Sequence, residues 1–374
     1  MPQDIRYVIL ELDMTPKERI KAIMNREPHD CLSWTALVDN NSIDFFPKHL
    51  RENFGIDFYK AIGCDIFLLN GCNTPFTFRS PQLKWSKDIL EQTYQENGKT
   101  IRRFSTPKGN LIGVYGKGGH PVKYMIDSVD AVKIYTKMWE QASFLELDDK
   151  ETFDKLESLV GDNGIVTRFW GPSTIPRLLE IDMGIENFYY LLNDYPDEME
   201  ELIDTIHKKE KDAFRILANC PCDYVILVEN TSTYYISPEV YKQYNMPHQQ
   251  EFVKIIKNAG KTAIIHMCGH VKNLLHLIKE TGCDGIHALT PPPTGDTPWE
   301  LALDILGEDT IIIGALDPSI FLLSKIQDIP DLLNSVITER LKRANFILGV
   351  FADGIRVELE RFYAIARWME KNRY

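Results

Sequence analysis

Eight short apolar runs, separated by amphipathic stretches, constrain the fold of this chain more than any other feature. They are LSWTALV (32–38), DIFLL (65–69), GIVTRFW (164–170), DYVILVE (223–229), KTAIIH (261–266), DGIHAL (284–289), TIIIGAL (310–316) and NFILGVF (345–351). Runs this short and this continuously apolar suit parallel strands buried on both faces, and the stretches between them have the periodicity of crossover helices. Eight such units predict an α/β protein, a (β/α)8 TIM barrel. No linker or low-complexity tract divides the 374 residues, so 1–374 read as a single barrel domain with elaborated loops.

One interval breaks the rhythm. Between the second and third runs, WSKDILEQTYQENGKTIRRFSTPKGNLIGVYG alternates with period two and carries turn signals at Asn97-Gly98 and Lys108-Gly109-Asn110. This predicts an antiparallel hairpin insertion over about residues 82–120, at a strand-to-helix connection, where it would shield the barrel mouth.

Charge narrows the partners. A formal net charge of −12 argues against nucleic acid, because a phosphate binder needs clustered Lys and Arg. The most basic stretch, Lys208, Lys209 and Lys211, is interleaved with Glu210 and Asp212 and reads as a solvated helix face. No apolar run reaches the roughly 18–20 residues of a membrane span, and no charged segment followed by an apolar core opens the sequence, so a soluble cytoplasmic protein is expected. Seven cysteines, at 31, 64, 72, 220, 222, 268 and 283, are an odd number without a small secreted framework, and imply reduced thiols. Cys220-Pro221-Cys222 has a chelating spacing, yet proline just ahead of an apolar run fits a helix-to-strand turn better.

Residues at the carboxyl ends of barrel strands converge on one mouth, the face that carries the chemistry of such folds. The third run ends in Arg168, Phe169 and Trp170, the fourth in Glu229 and Asn230, and the fifth in His266, Met267 and Cys268. The sixth supplies His287 and Thr290, the seventh Asp317 and the eighth Asp353. Residues two apart on a strand share a face, so a strand persisting through Cys268 would point its thiol and the His266 imidazole the same way. Both are good zinc donors, and a catalytic zinc takes about three protein ligands. A carboxylate from Glu229 or Asp353 would complete the set; the alternative is a satisfied core histidine beside a small buried cysteine.

Glu229 closes the run VILVE, where a carboxylate needs a metal, a substrate or a hydrogen bond to offset burial. Asp353 also reads as a helix cap. His287 either meets a substrate or fills the barrel, and Trp170 and Tyr235 either wall a pocket or pack in the core. The loop 290–296, TPPPTGD, is stiff and sits where it would shape a pocket.

The segments MTPKERIKAIMNREPHD, RFWGPSTIPRLLEIDMGIENFYYLLNDYPDEMEELI, ISPEVYKQYNMPHQQEFVKIIKNAGKTAIIHMCGH and IIIGALDP together resemble the uroporphyrinogen decarboxylase-like superfamily from about residue 14 onward. The resemblance implies a (β/α)8 barrel and one of two activities. Cofactor-free porphyrinogen decarboxylases carry an arginine signature like RQAGRY after the first strand. Here that region is TALVDNNSIDFF, with no arginine between Arg26 and Arg51, so a polycarboxylate would be poorly received.

The other branch, zinc methyltransferases that work with corrinoid proteins, is recognised by His-x-Cys after the fifth strand and a distant cysteine after the eighth. His266 and Cys268 match the first part; Asp353, in FADGI, stands where the second cysteine would be. The resemblance therefore implies a methyltransferase passing a methyl group from a small methylated donor, such as a methoxylated aromatic, to cob(I)alamin on a partner corrinoid protein. Zinc would be held by His266, Cys268 and Glu229 or Asp353, with Trp170, Tyr235, His287 and Asp317 around the substrate. A decarboxylase and a non-catalytic corrinoid- or tetrapyrrole-binding barrel are the alternatives.

Overall fold

The computed structural model describes residues 13–38, 40–352 and 356–373. In chain order the strands are β1 (Ser33–Val38), β2 (Ile66–Leu69), β3 (Gln82–Lys84), β4 (Leu90–Glu96), β5 (Lys99–Thr106), β6 (Gly109–Tyr115), β7 (Pro121–Lys123), β8 (Ser143–Leu145), β9 (Gly164–Trp170), β10 (Tyr224–Val228), β11 (Thr262–His266), β12 (Gly285–Leu289), β13 (Ile311–Ala315) and β14 (Phe346–Ala352). Each of the eight apolar runs is a strand, and all eight lie in one parallel sheet ordered β1-β14-β13-β12-β11-β10-β9-β2.

At the seam between β1 and β2 the ladder is irregular. Asp65 N donates to Trp34 O at 2.8 Å, and Phe67 N donates to the Thr35 hydroxyl at 3.3 Å, a side-chain oxygen standing in for a carbonyl. These bonds bring the eight-stranded sheet nearly to closure as a barrel.

The insertion is larger than a hairpin. β4, β5, β6 and β7 form a four-stranded antiparallel sheet, and β3 pairs separately with β8. Asn97 and Gly98 both have positive φ, 49° and 73°, as a two-residue turn matched to strand twist requires. β4 is exposed along its length, whereas Ile101, Phe104 and Leu111 are buried. Phe104 meets Trp85, which in turn meets Trp139 on the helix Val129–Glu140. The sheet's apolar face is thus spent on that helix. Its exit touches the segment after β9, where Ile126 N donates to Asp182 O.

Inside the barrel, Phe67, Ile165, Tyr224, Ile226, Ile264, Ile311, Ile313 and Ile347 form one apolar cluster, closed below by Ile20, Ile23 and Met24 of the helix Pro16–Asn25. This helix starts with a reciprocal cap between Thr15 and Glu18. It is anchored by Arg19, whose guanidinium reaches Asp30 Oδ1 at 2.6 Å and Asp65 Oδ1 at 2.9 Å, while Ser33 donates to Asp65 Oδ2 at 2.7 Å. Plug helix, β1 and the start of β2 are held by one buried ionic network. Among the described residues no helix is long and apolar enough to cross a membrane.

Removing one partner of a buried ion pair strands the other charge, so Arg19→Ala is expected to lower unfolding stability by about 3–5 kcal/mol in urea titration. A loss under about 1 kcal/mol would mean that the pair is no more valuable than an exposed one.

Candidate active site

The parallel register sets His266 of β11 directly opposite His287 of β12. Both rings point into the barrel, where Phe169 meets both edge-on and Phe67 and Phe351 stack on His287. The two Nδ1 atoms are 2.7 Å apart. One proton must lie between them, because two bare lone pairs or two N–H groups would repel. Burial holds both imidazoles below the usual histidine range, His266 at about 4 and His287 well below its ordinary value, with His266 adding to the effect. The pair is neutral. With the shared proton on His266 and donated to His287, His266 Nε2 presents its lone pair.

His287, expected at the substrate, is 1% exposed, and its Nδ1 faces His266. Its placement depends on a bulge: the pairing of β12 with β13 shifts between His287 and Leu289, with Ala288 at φ 65°.

β11 ends at His266, and Cys268 lies just beyond it, exposed at the mouth. Its loop lies tight against the one after β10: a Cβ on Gly269 would come within 2.6 Å of Thr231 O, and Thr233 N donates to His270 O at 2.8 Å. Asn230, at φ 38°, organises the neighbourhood. Its amide N donates to Glu180 Oε2 at 3.1 Å, the Cys268 thiol lies 4.0 Å from its Oδ1, and the Tyr235 hydroxyl donates to its backbone oxygen. Tyr235 therefore stands at the mouth. Glu180 comes from a π-helical turn, Leu178–Asp182, and burial raises its carboxyl while the Asn230 hydrogen bond partly opposes this.

Other expected residues lie elsewhere. Glu229 is fully buried and turned away from the mouth, accepting from Gln249 on the helix Met246–Asn258 at 2.8 Å. The reason is parity: Tyr224 and Ile226 face inward on β10, so Val228 does too, and Glu229 faces the helices. Trp170 is displaced by the same rule. Phe169 faces the barrel, whereas Trp170 wedges between Phe144 and Phe214 in the helical layer.

Asp317 caps the helix Pro318–Leu323 and accepts from Thr294 N at 2.7 Å, which ties down the stiff loop. Burial would raise its carboxyl, but hydrogen bonds from Ser319, Ile320 and Thr294 hold it below the ordinary value. Asp353 lies outside the described residues.

These positions bear on zinc. His266 Nε2 and the Cys268 thiol offer two of the roughly three protein donors needed. Among the described residues, no group of three or more His, Cys, Asp and Glu side chains is assembled to hold an ion, and the Glu229 carboxyl is engaged by Gln249 instead. Glu180 escaped the strand-end reading because it lies ten residues past β9. Its one signal is a carboxylate inside the apolar run Leu178-Leu179-Glu180-Ile181.

Among known proteins, residues 170–354 match the uroporphyrinogen decarboxylase (URO-D) family. A methylcobamide:CoM methyltransferase MtbA from Methanosarcina acetivorans is 31% identical over 327 residues, covering 82% of this chain and 84% of the relative. A second, from Methanosarcina mazei, is 28% identical over 331 residues with the same coverage. The solved structure of a methyltransferase from Methanosarcina mazei superposes with a TM-score of 0.59 at 12% identity, covering 96% of this chain and 99% of that one, and so shares the fold.

Burial raises the Glu229 carboxyl to about 8, from 4.5 for a free glutamate, with the Ser173 and Gln249 hydrogen bonds opposing the rise. The folded protein keeps a proton that the unfolded chain releases between those values. The resulting stabilisation is complete below the lower value and is lost as pH rises through the upper one. Glu229→Gln should therefore flatten the fall in stability between about pH 5 and about pH 8 by up to about 1.4 kcal/mol per pH unit, read from urea unfolding. An unchanged slope would show that Glu229 is already ionised.

Proposed function

The chain belongs to the uroporphyrinogen decarboxylase-like superfamily, in its corrinoid-dependent methyltransferase branch, and from that membership we propose that it moves a methyl group from a small methylated donor to cob(I)alamin on a partner corrinoid protein. The observation that carries this reading is the neutral, pre-oriented His266 beside Cys268 at the barrel mouth, in a chain aligned with an MtbA over 82% of its length. The absence of arginine between Arg26 and Arg51 counts against the decarboxylase alternative, since no guanidinium directly follows β1 to pair a substrate carboxylate.

A methoxylated aromatic is the proposed donor class. Phe169, Phe351 and Tyr235 supply aromatic surface around the His266 and Cys268 end of the barrel, and the uncharged imidazole pair places no fixed positive charge beside it. Zinc belongs to the proposal with His266 and Cys268 as donors and Asp353 as the third; bound there, it would supply Lewis-acid polarisation of the leaving oxygen. The chain's own contribution is positional. His287 fixes the tautomer and tilt of His266, and Asn230 holds the Glu180 carboxylate and the Tyr235 hydroxyl in place.

A second direction has a specific observation behind it: the relatives' name pairs methylcobamide with CoM, so a thiol is the competing methyl partner. One experiment separates them. Protein mixed with a corrinoid protein reduced to cobalt(I) and a methoxylated aromatic should convert the cobalt(I) spectrum to methylcobalt. Turnover only when methylcobalt and a thiol are supplied would select the second direction, and failure of both would end the methyltransferase reading.

Replacing His287 by Phe fills the same space without orienting His266. It should lower metal affinity or turnover by about 10–100-fold with far-UV circular dichroism unchanged. A variant with full turnover would remove His287 from the site.

A further inference from the structure

Cys220, Pro221 and Cys222 join the end of the helix Pro196–Asn219 to β10, at the amino-terminal side of the barrel and away from the mouth. The turn is closely held. Lys261 Nζ donates to the carbonyl oxygens of both Cys220 and Cys222 at 2.6 Å each, and Pro221 stiffens the single residue between them. The two side chains flank that one residue, and the Cys220 thiol donates toward Cys222 O at 3.7 Å.

The two thiols differ in access. Cys220 lines a cleft of about 430 Å³, together with Pro221, Asn219, Leu217, Ser80 and Asp149, while Cys222 is fully enclosed. Two cations act on the pair: the Lys261 ammonium and the Arg168 guanidinium both favour thiolate over thiol. The pairing with Cys222 and these charges draw the Cys220 thiol down despite burial, whereas the same pairing and burial push the Cys222 thiol up.

We propose that Cys220 and Cys222 form a redox-active dithiol that reacts with low-molecular-weight disulfides, Cys220 attacking from the cleft and Cys222 resolving from behind it. Cys220 thiolate attacks one sulfur of the disulfide, forms a mixed disulfide and releases one thiolate. Cys222 then gives up its proton and attacks the Cys220 sulfur, closing the Cys220–Cys222 disulfide and expelling the second thiolate. Two electrons pass from the protein to the small disulfide, which leaves as two thiols. The assignment stands independently of the methyl-transfer reading, since none of its residues lies at the mouth.

The test uses glutathione disulfide as the probe on the reduced, full-length protein, followed by N-ethylmaleimide labelling and peptide mass mapping. The unsubstituted protein should lose two of its seven labels, both from the peptide containing Cys220 and Cys222, with no glutathione retained and full recovery in dithiothreitol. Cys222→Ser should instead accumulate one glutathione on Cys220, at least about tenfold faster than on buried Cys31, whose thiol burial raises to about 11. Retention of all seven labels, a disulfide mapping to another pair, or no adduct at Cys220 in Cys222→Ser would overturn the proposal. Because the first readout uses the unsubstituted protein, a poorly folding variant does not weaken it.

Discussion

Closure of the parallel sheet is the constraint on which the rest of this structure depends. β1 meets β14 on one side, and the seam to β2 is bridged through Trp34 O and the Thr35 hydroxyl, which brings the barrel sheet nearly to closure. Strands can then be apolar on both faces, as these are, and polar groups are driven to the two ends or into hydrogen-bonded networks. At the lower end Arg19 holds the plug helix to Asp30 and Asp65 through such a network. At the upper end the same logic admits two histidines only because each satisfies the other and neither carries charge.

Closure also enforces parity. Along each strand one set of side chains faces the barrel and the other faces the helices, so neighbours in sequence are assigned to different environments. Phe169 becomes a wall for the histidines while Trp170 becomes helical-layer core. Val228 faces inward and Glu229 is sent outward to Gln249, where burial keeps it protonated near neutral pH. A carboxylate at a strand end is therefore not by itself a ligand. Which side it exits decides.

Much of the architecture was legible in the chain because it rests on local pattern. The eight apolar runs became eight strands, and the Asn97-Gly98 turn is where the positive φ values fall. The size of the insertion was less legible: β6 and β7 extend it to four strands, and its buried face is set by distant partners, Trp85 and Trp139. Of the candidate site, His266 and Cys268 could be proposed from sequence because their chemistry and spacing are local. Glu180 could not, since it reaches Asn230 from a π-helical turn ten residues beyond β9.

By itself the sequence determined the strand number, the parallel topology and the delivery of an imidazole and a thiol to one strand end. Those follow from periodicity and residue chemistry, which act over a few residues. Only the tertiary structure decided that His287 is the partner of His266 and that Glu229 serves the helix layer. It also decided that Asn230 gathers Glu180, Tyr235 and Cys268. These outcomes turn on inter-strand register and on which face of a strand each side chain occupies, and both are fixed when the sheet closes, by contacts between residues far apart in the chain.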